Sequence, residues 1–144
     1  LAALMEAIVA SNEGKPVRTY GEAGGEFGTF SRPKGIAIDR GGRLYIGDSA
    51  FENVQIFDAA GKLLLYFGQP GDRAEGLNLP AGVSIDYDNV EYFRRYADPG
   101  FAVEYLVLVA SQFGPNKIDV FGFGRMRGMD YPPDGQQAAA QKGR

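Results

Sequence analysis

The 144-residue sequence contains no cysteine, no histidine and no tryptophan. Without cysteine there are no disulfides, no thiol nucleophile and no haem-attachment motif. Without histidine the usual general base is missing, as are the commonest metal ligand and the usual axial ligand of haem. Catalysis would have to rest on carboxylates, Lys, Tyr or a carboxylate-bound cation, and no cofactor is expected. Positive charge is also sparse: 15 basic against 18 acidic residues give a formal net charge of −3 and a pI near 5.0. A nucleic-acid surface calls for a basic stripe, so no nucleic-acid partner is expected. No apolar run approaches the ~20 residues needed to cross a bilayer. The opening LAALMEAIVA is interrupted by Glu6 and carries neither the basic region nor the cleavage pattern of a signal peptide.

What the chain does have is glycine, 21 residues of it, and 18 aromatics made up of 8 Tyr and 10 Phe. Glycine-rich turns between short aromatic and β-branched runs point to an all-β chain. It also has a repeat. RPKGIAID at Arg32 to Asp39 returns as LPAGVSID at Leu79 to Asp86. The same offset pairs Gly21 with Gly68, Phe30 with Leu77, Tyr20 with Phe67 and Gly14-Lys15 with Gly61-Lys62. Glycine and proline recur where the backbone needs special angles, and apolar residues recur where a core would lie.

Each unit reads as four strands. In the first, these are Lys34 to Ile38, Arg43 to Ile46, Val54 to Phe57 and Leu63 to Phe67. Asp39-Arg-Gly-Gly and Asp58-Ala-Ala-Gly make the turns. In the second they are Val83 to Asp86, Tyr105 to Ala110, Lys117 to Phe121 and Phe123 to Met126. Four short strands per repeat describe the blade of a β-propeller. FSRPKGIAIDRGGRLYIGDSAFENVQIFDAAGKLLLYFG resembles an NHL repeat in its Pro-x-Gly-Ile-Ala-Ile-Asp, Leu-Tyr-x-x-Asp and Ile-x-x-Phe-like elements. The resemblance covers about residues 8 to 126. It departs from the pattern where Asn53 and Lys117 hold the Arg position and Gln112 stands in for the Asp.

The resemblance implies a segment of a bacterial, six-bladed propeller. Residues 1–28 supply the end of a preceding blade, 29–75 a blade, 76–126 a second blade with a helical insert at 87–105, and 127–144 an extended or disordered tail. Such a segment of about two and a half blades is expected to be a piece of a longer chain, assembling with the missing blades, because an open arc exposes strand edges.

The insert, YDNVEYFRRYADPGFAVEY, reads as a short helix with Asp88 as N-cap and Glu91 completing a capping-box-like pair. Val90, Phe93 and Ala97 share one face, and Tyr92 and Tyr96 stand at i,i+4. Six of the chain's aromatics fall in these 19 residues, beside Arg94 and Arg95. Tyr and Arg are enriched at binding hot spots. Two readings therefore stay open: packing of the helix onto its own blade, and a docking surface of Tyr92, Phe93, Arg94, Arg95 and Tyr96. The loops between second and third strands offer Phe51, Asn53, Phe113, Asn116 and Lys117 as further partner-binding candidates. Asp39, Asp48, Asp58 and Asp86 each end a strand, where the carboxylate caps a turn, and no calcium-loop spacing is present. GEAGGEFG at Gly21 to Gly28 is a turn, since no helix follows and its two glutamates would repel phosphate.

The expected function is a non-catalytic protein-binding or scaffold module. SQFGPNKIDVFGFG, following the insert, is similar to NHL proteins of bacteria rich in multihaem cytochromes. That likeness implies a secreted or periplasmic setting and a multihaem cytochrome as partner. The alternative is part of a six-bladed, metal-dependent hydrolase or lyase of lactonase-like kind.

Overall fold

The stretch aligned with the outer strands of the first unit does pair as outer strands: β1 (Ala7–Ala10) and β2 (Pro16–Tyr20) run antiparallel. The computed structural model describes residues 7–10 and 13–131, so the last 13 residues of the expected tail lie outside the described residues. The first unit follows as a four-stranded antiparallel meander, β3 (Pro33–Ile38), β4 (Leu44–Asp48), β5 (Asn53–Phe57) and β6 (Leu63–Phe67).

Its two tight turns are built alike. Asp39 Oδ1 accepts the backbone N–H groups of Gly41 and Arg43 at 2.8 and 2.9 Å. Asp58 Oδ1 accepts those of Ala60 and Lys62, both at 2.9 Å. Each turn then needs a left-handed residue, which Gly42 (φ 80°) and Gly61 (φ 87°) supply without a Cβ penalty. Each of these carboxylates thus gives its Oδ1 to its own turn, as the strand-end positions suggested.

The loops that lead from one blade to the next also repeat. β7 (Gln69–Pro70) pairs in parallel with β8 (Gly76–Leu77), and in the preceding loop Ala23 bridges Phe30 in the same sense. Phe30 and Leu77 are both fully buried. Each lies under a left-handed glycine, Gly21 (φ 71°) and Gly68 (φ 83°), whose absent side chain leaves the space that the apolar group fills.

In the second unit, β9 (Pro80–Asp86), β10 (Phe101–Ser111) and β11 (Ile118–Met126) form a three-stranded sheet in the order β11-β10-β9. This corrects the four-strand reading. The expected strands Lys117 to Phe121 and Phe123 to Met126 are not separate: from Ile118 onward they form the single strand β11, which pairs with β10 along its whole length. The physical reason lies in Phe121-Gly122-Phe123-Gly124: it has no turn-capping side chain, and its period of two suits a continuous strand. Phe121 faces the first blade, its ring centroid 4.6 Å from that of Phe67, while Phe123 stacks on Tyr105 of the neighbouring β10 (4.7 Å) with the Arg43 guanidinium of the first blade over its ring. Gly124 lies so close to Ala102 O that a Cβ would stand 2.0 Å from it. Pairing continues there only because no side chain is present.

The insert is correspondingly shorter than the alignment gave. Residues 101–105 belong to β10, leaving 87–100 between strands. Its helix α1 is one turn, Val90–Phe93, prolonged by a 3-10 turn at Arg94–Tyr96. Asp88 is not the cap. Asn89 holds the N-cap position and makes no side-chain cap bond. Asp86 organises the entry instead: its Oδ1 accepts the N–H groups of Asp88 and Asn89, and its Oδ2 the Asn89 side-chain amide at 2.6 Å.

Two apolar cores flank the first blade, which is why every residue of β4 and β5 is buried. Leu44, Ile46 and Phe57 pack with Tyr20 and Phe30 on one side. Tyr45, Val54 and Ile56 pack with Tyr105, Val107, Val109 and Leu77 on the other. The chain is therefore an all-β, propeller-like segment.

Candidate functional site

Three polar or aromatic clusters stand out, and they do different things. The first is buried at the seam between the blades. Tyr105 donates to Asp39 Oδ2 at 2.7 Å, the Arg43 guanidinium reaches the same oxygen at 2.9 Å, and the Tyr45 and Tyr105 hydroxyls are in direct contact. Burial works against the Asp39 charge, but the bonds from Tyr105 and from the Arg43 amide and guanidinium outweigh it and hold its pKa below the usual value. Burial is also the main cause pushing the Tyr45 and Tyr105 phenols far above their usual range. Both Asp39 oxygens accept hydrogen bonds, Oδ1 from the Gly41 and Arg43 amides and Oδ2 from Arg43, Tyr45 and Tyr105. The cluster clamps the two blades together.

The second cluster is the insert. Val90 is buried, and Phe93 is half-buried beside Phe101, Val103, Leu106 and Val120, so the helix does pack on its own blade. The other face does not. Tyr92 and Tyr96 are 59% and 71% exposed. The Arg95 guanidinium lies over both rings, 4.2 and 5.1 Å from their centroids. Arg94 takes no part in this stack and pairs with Glu91 at 2.6 Å. The packing reading of the insert therefore holds for Val90 and Phe93, while Tyr92, Arg95 and Tyr96 stay exposed, with Tyr96 also bordering the small pocket beside Phe93.

The third lies between the two inter-blade loops. Phe51 and Asn53 line a cavity of about 510 Å³ together with Phe27, Tyr66, Glu26 and Glu75. Phe27 and Tyr66 stack with centroids 4.0 Å apart and planes 16° from parallel. Sequence reasoning missed these last four. They come from a loop, an outer strand and a second loop, and no local spacing announces that they meet.

Phe113, Asn116 and Lys117 are exposed on the loop after β10 and do not line the cavity. Phe113 is 62% exposed, and the Lys117 ammonium donates to Gln112 O at 3.3 Å. The hydrogen bonds also correct the alignment of this loop. Ser31 N–H donates to the Asp48 carboxylate at 2.7 Å, and its repeat counterpart, Asn78 N–H, donates to Ser111 Oγ at 3.2 Å. Ser49 N–H reaches Arg32 O just as Gln112 N–H reaches Leu79 O. Ser111, not Gln112, stands where Asp48 does.

Among the described residues no group of three or more acidic, His or Cys side chains is placed to hold a metal ion, and no helix is long and apolar enough to cross a membrane.

No family model matches the chain. Part of it is similar to curated proteins: 32% identical over 66 residues to protein brain tumor of Drosophila melanogaster, 39% over 49 residues to protein lin-41 of Caenorhabditis elegans, and 34% over 65 residues to the E3 ubiquitin-protein ligase NHLRC1 of Homo sapiens. These matches take in 46%, 34% and 44% of this chain but only 6%, 4% and 16% of the relatives' lengths. The partial likeness to NHL-repeat proteins agrees with the resemblance carried by the repeat itself.

Proposed function

We propose that this chain is a non-catalytic, protein-binding module of the NHL β-propeller type. The observation that carries the reading is the Tyr92–Arg95–Tyr96 stack. Two tyrosines and an arginine are pre-assembled in water on a helix whose other face is anchored by Val90 and Phe93. Rigid aromatic groups beside Arg are the composition of binding hot spots, and a stack already formed loses little rotamer freedom on docking. Phe113 extends the exposed aromatic surface on the loop after β10, with Asn116 and Lys117 beside it in sequence.

The finer reading is a bacterial, six-bladed type in the periplasm or outside the cell, with a multihaem cytochrome as the docked protein. It is supported by the likeness of the segment from the insert to β11 to NHL proteins of cytochrome-rich bacteria. The test is a paired measurement with a purified periplasmic multihaem cytochrome, reading co-elution of haem absorbance from a sizing column. The parent chain should carry haem absorbance with it, and a chain bearing Tyr92→Ala, Arg95→Ala and Tyr96→Ala together should not, while unfolding at the same denaturant midpoint. Absence of co-elution by the parent would remove the cytochrome. Unfolding of the variant would remove the docking surface.

A further inference from the structure

The cavity between the inter-blade loops presents acceptors and aromatic faces and no positive charge. Of its titratable side chains, Glu26 and Glu75 are carboxylates, and no Lys or Arg lines it. Gln69 donates to one Glu75 oxygen at 2.8 Å, leaving the other oxygen of that carboxylate outside the bond. Neither glutamate is in an ion pair among the described residues. Phe27 and Tyr66, stacked on each other, remain 56% and 49% exposed. At the same cavity Asn53 is only 5% exposed, and its buried Oδ1 has no hydrogen-bond partner.

We propose that this cavity is a binding site for a cationic side chain, arginine or lysine, of a protein or peptide. The chemistry is selective. An anion would meet two carboxylates with no compensating cation. A purely apolar group would fill the aromatic surface but leave the carboxylates of Glu26 and Glu75 without a counter-charge. A metal ion would find aromatic rings where it needs a third hard ligand. A guanidinium or ammonium group satisfies both features together: its charge faces Glu26 and Glu75, and its face or stem lies on the Phe27–Tyr66 pair. The volume, about 510 Å³, falls within the range typical of small-ligand pockets. The site lies on the first blade and goes beyond the docking role of the insert, which involves none of the same residues.

The experiment is an NMR titration of the chain with N-acetyl-arginine methylamide, following the Phe27 and Tyr66 ring resonances. The neutral, nearly isosteric citrulline analogue and calcium chloride are titrated in parallel. Saturable shifts with the arginine compound alone are expected. Combining Glu26→Gln with Glu75→Gln should weaken binding by about threefold to tenfold, in keeping with exposed charge and cation–π contributions. Tyr66→Ala should weaken it further, and the triple alanine variant of the insert should leave it unchanged, which separates this site from the docking surface. Equal binding of the citrulline compound, or no saturation by the arginine compound, would overturn the proposal. Shifts produced by calcium alone would replace it with a metal site. Should the double variant misfold, the exposed single change Glu26→Gln gives the same comparison.

Discussion

Tyr45 and Tyr105 bring their hydroxyls together across the seam between the blades, and one carboxylate oxygen, Asp39 Oδ2, lies within hydrogen-bond distance of both. The two tyrosines come from β4 and β10, 60 residues apart in the chain. Their contact ties the second strand of one blade to the second strand of the next.

This cluster makes stability depend on pH at both extremes. Asp39 is held below its ordinary value of 3.8, so the folded state releases its proton more readily than the unfolded chain does. Its contribution is fully present above 3.8 and is lost as pH falls through the lower folded value. The two phenols are raised above 10.0, so the folded state keeps protons that the unfolded chain gives up. Their contribution is complete below pH 10.0 and declines as pH rises beyond it. Urea unfolding across pH should therefore show a plateau that falls away on either side. Tyr105→Phe should destabilise the chain by about 1–3 kcal/mol at neutral pH and shallow the alkaline decline. A variant as stable as the parent, with the same pH profile, would mean the cluster is idle.

Much of the first blade was legible because its constraints are local. Asp39 and Asp58 cap turns whose glycines sit at fixed offsets, and Gly21 and Gly68 repeat because Phe30 and Leu77 repeat beneath them. The second blade was harder for identifiable reasons. The loop from Ser111 to Lys117 is one residue longer than the loop from Asp48 to Asn53, so an unbroken offset placed Gln112 opposite Asp48. Only the bond from Asn78 N–H to Ser111 Oγ reveals the true partner. The joined strand of β11 depends on the close approach of Gly124 to Ala102, a tertiary contact that no local pattern announces. The cavity was invisible for a similar reason, since Phe27, Phe51 and Tyr66 belong to three separate segments.

The two kinds of left-handed glycine should respond differently to alanine. At Gly42 (φ 80°) a Cβ would meet nothing within 4 Å, so Gly42→Ala should suffer backbone strain alone, about 1 kcal/mol. At Gly68 (φ 83°) it would stand 2.5 Å from Leu77 Cδ1, so strain and overpacking combine. Gly68→Ala should cost about 2–4 kcal/mol. Denaturant midpoints with unchanged m-values measure both. Equal losses would show that Leu77 moves aside freely.

Asp119 is the buried carboxylate with an unmet need. It occupies the strand position that Gln55 holds in the first blade. There Gln55 Oε1 accepts Gly28 N–H at 2.7 Å and its amide donates to Thr29 O at 2.9 Å. Asp119 Oδ2 has no partner, and burial raises its pKa above 3.8. The folded state then binds the proton more tightly than the unfolded chain, so stability is greatest below 3.8 and falls as pH rises through the folded value. Asp119→Asn removes that charge. It should stabilise the chain at neutral pH by about 1 kcal/mol and confer no advantage in acid. An advantage that persists unchanged in acid would show that charge is not the cause.

The two faces of the insert should separate cleanly under alanine substitution. Phe93 is half-buried against β10 and β11 and Val90 is buried, whereas Tyr92 and Tyr96 leave most of their surface in water. Phe93→Ala should therefore cost about 1–3 kcal/mol, less than a fully buried Phe because part of the ring already meets solvent. Tyr92→Ala and Tyr96→Ala should each stay within about 0.5 kcal/mol of the parent, apart from a small share of the Arg95 stacking. Urea unfolding of the three single variants settles the division. If Tyr92 and Tyr96 cost as much as Phe93, the stack is part of the blade's own packing and no free docking face exists. If only Phe93 matters, the tyrosines are exposed at no benefit to folding, which is the energetic signature expected of side chains held for a partner.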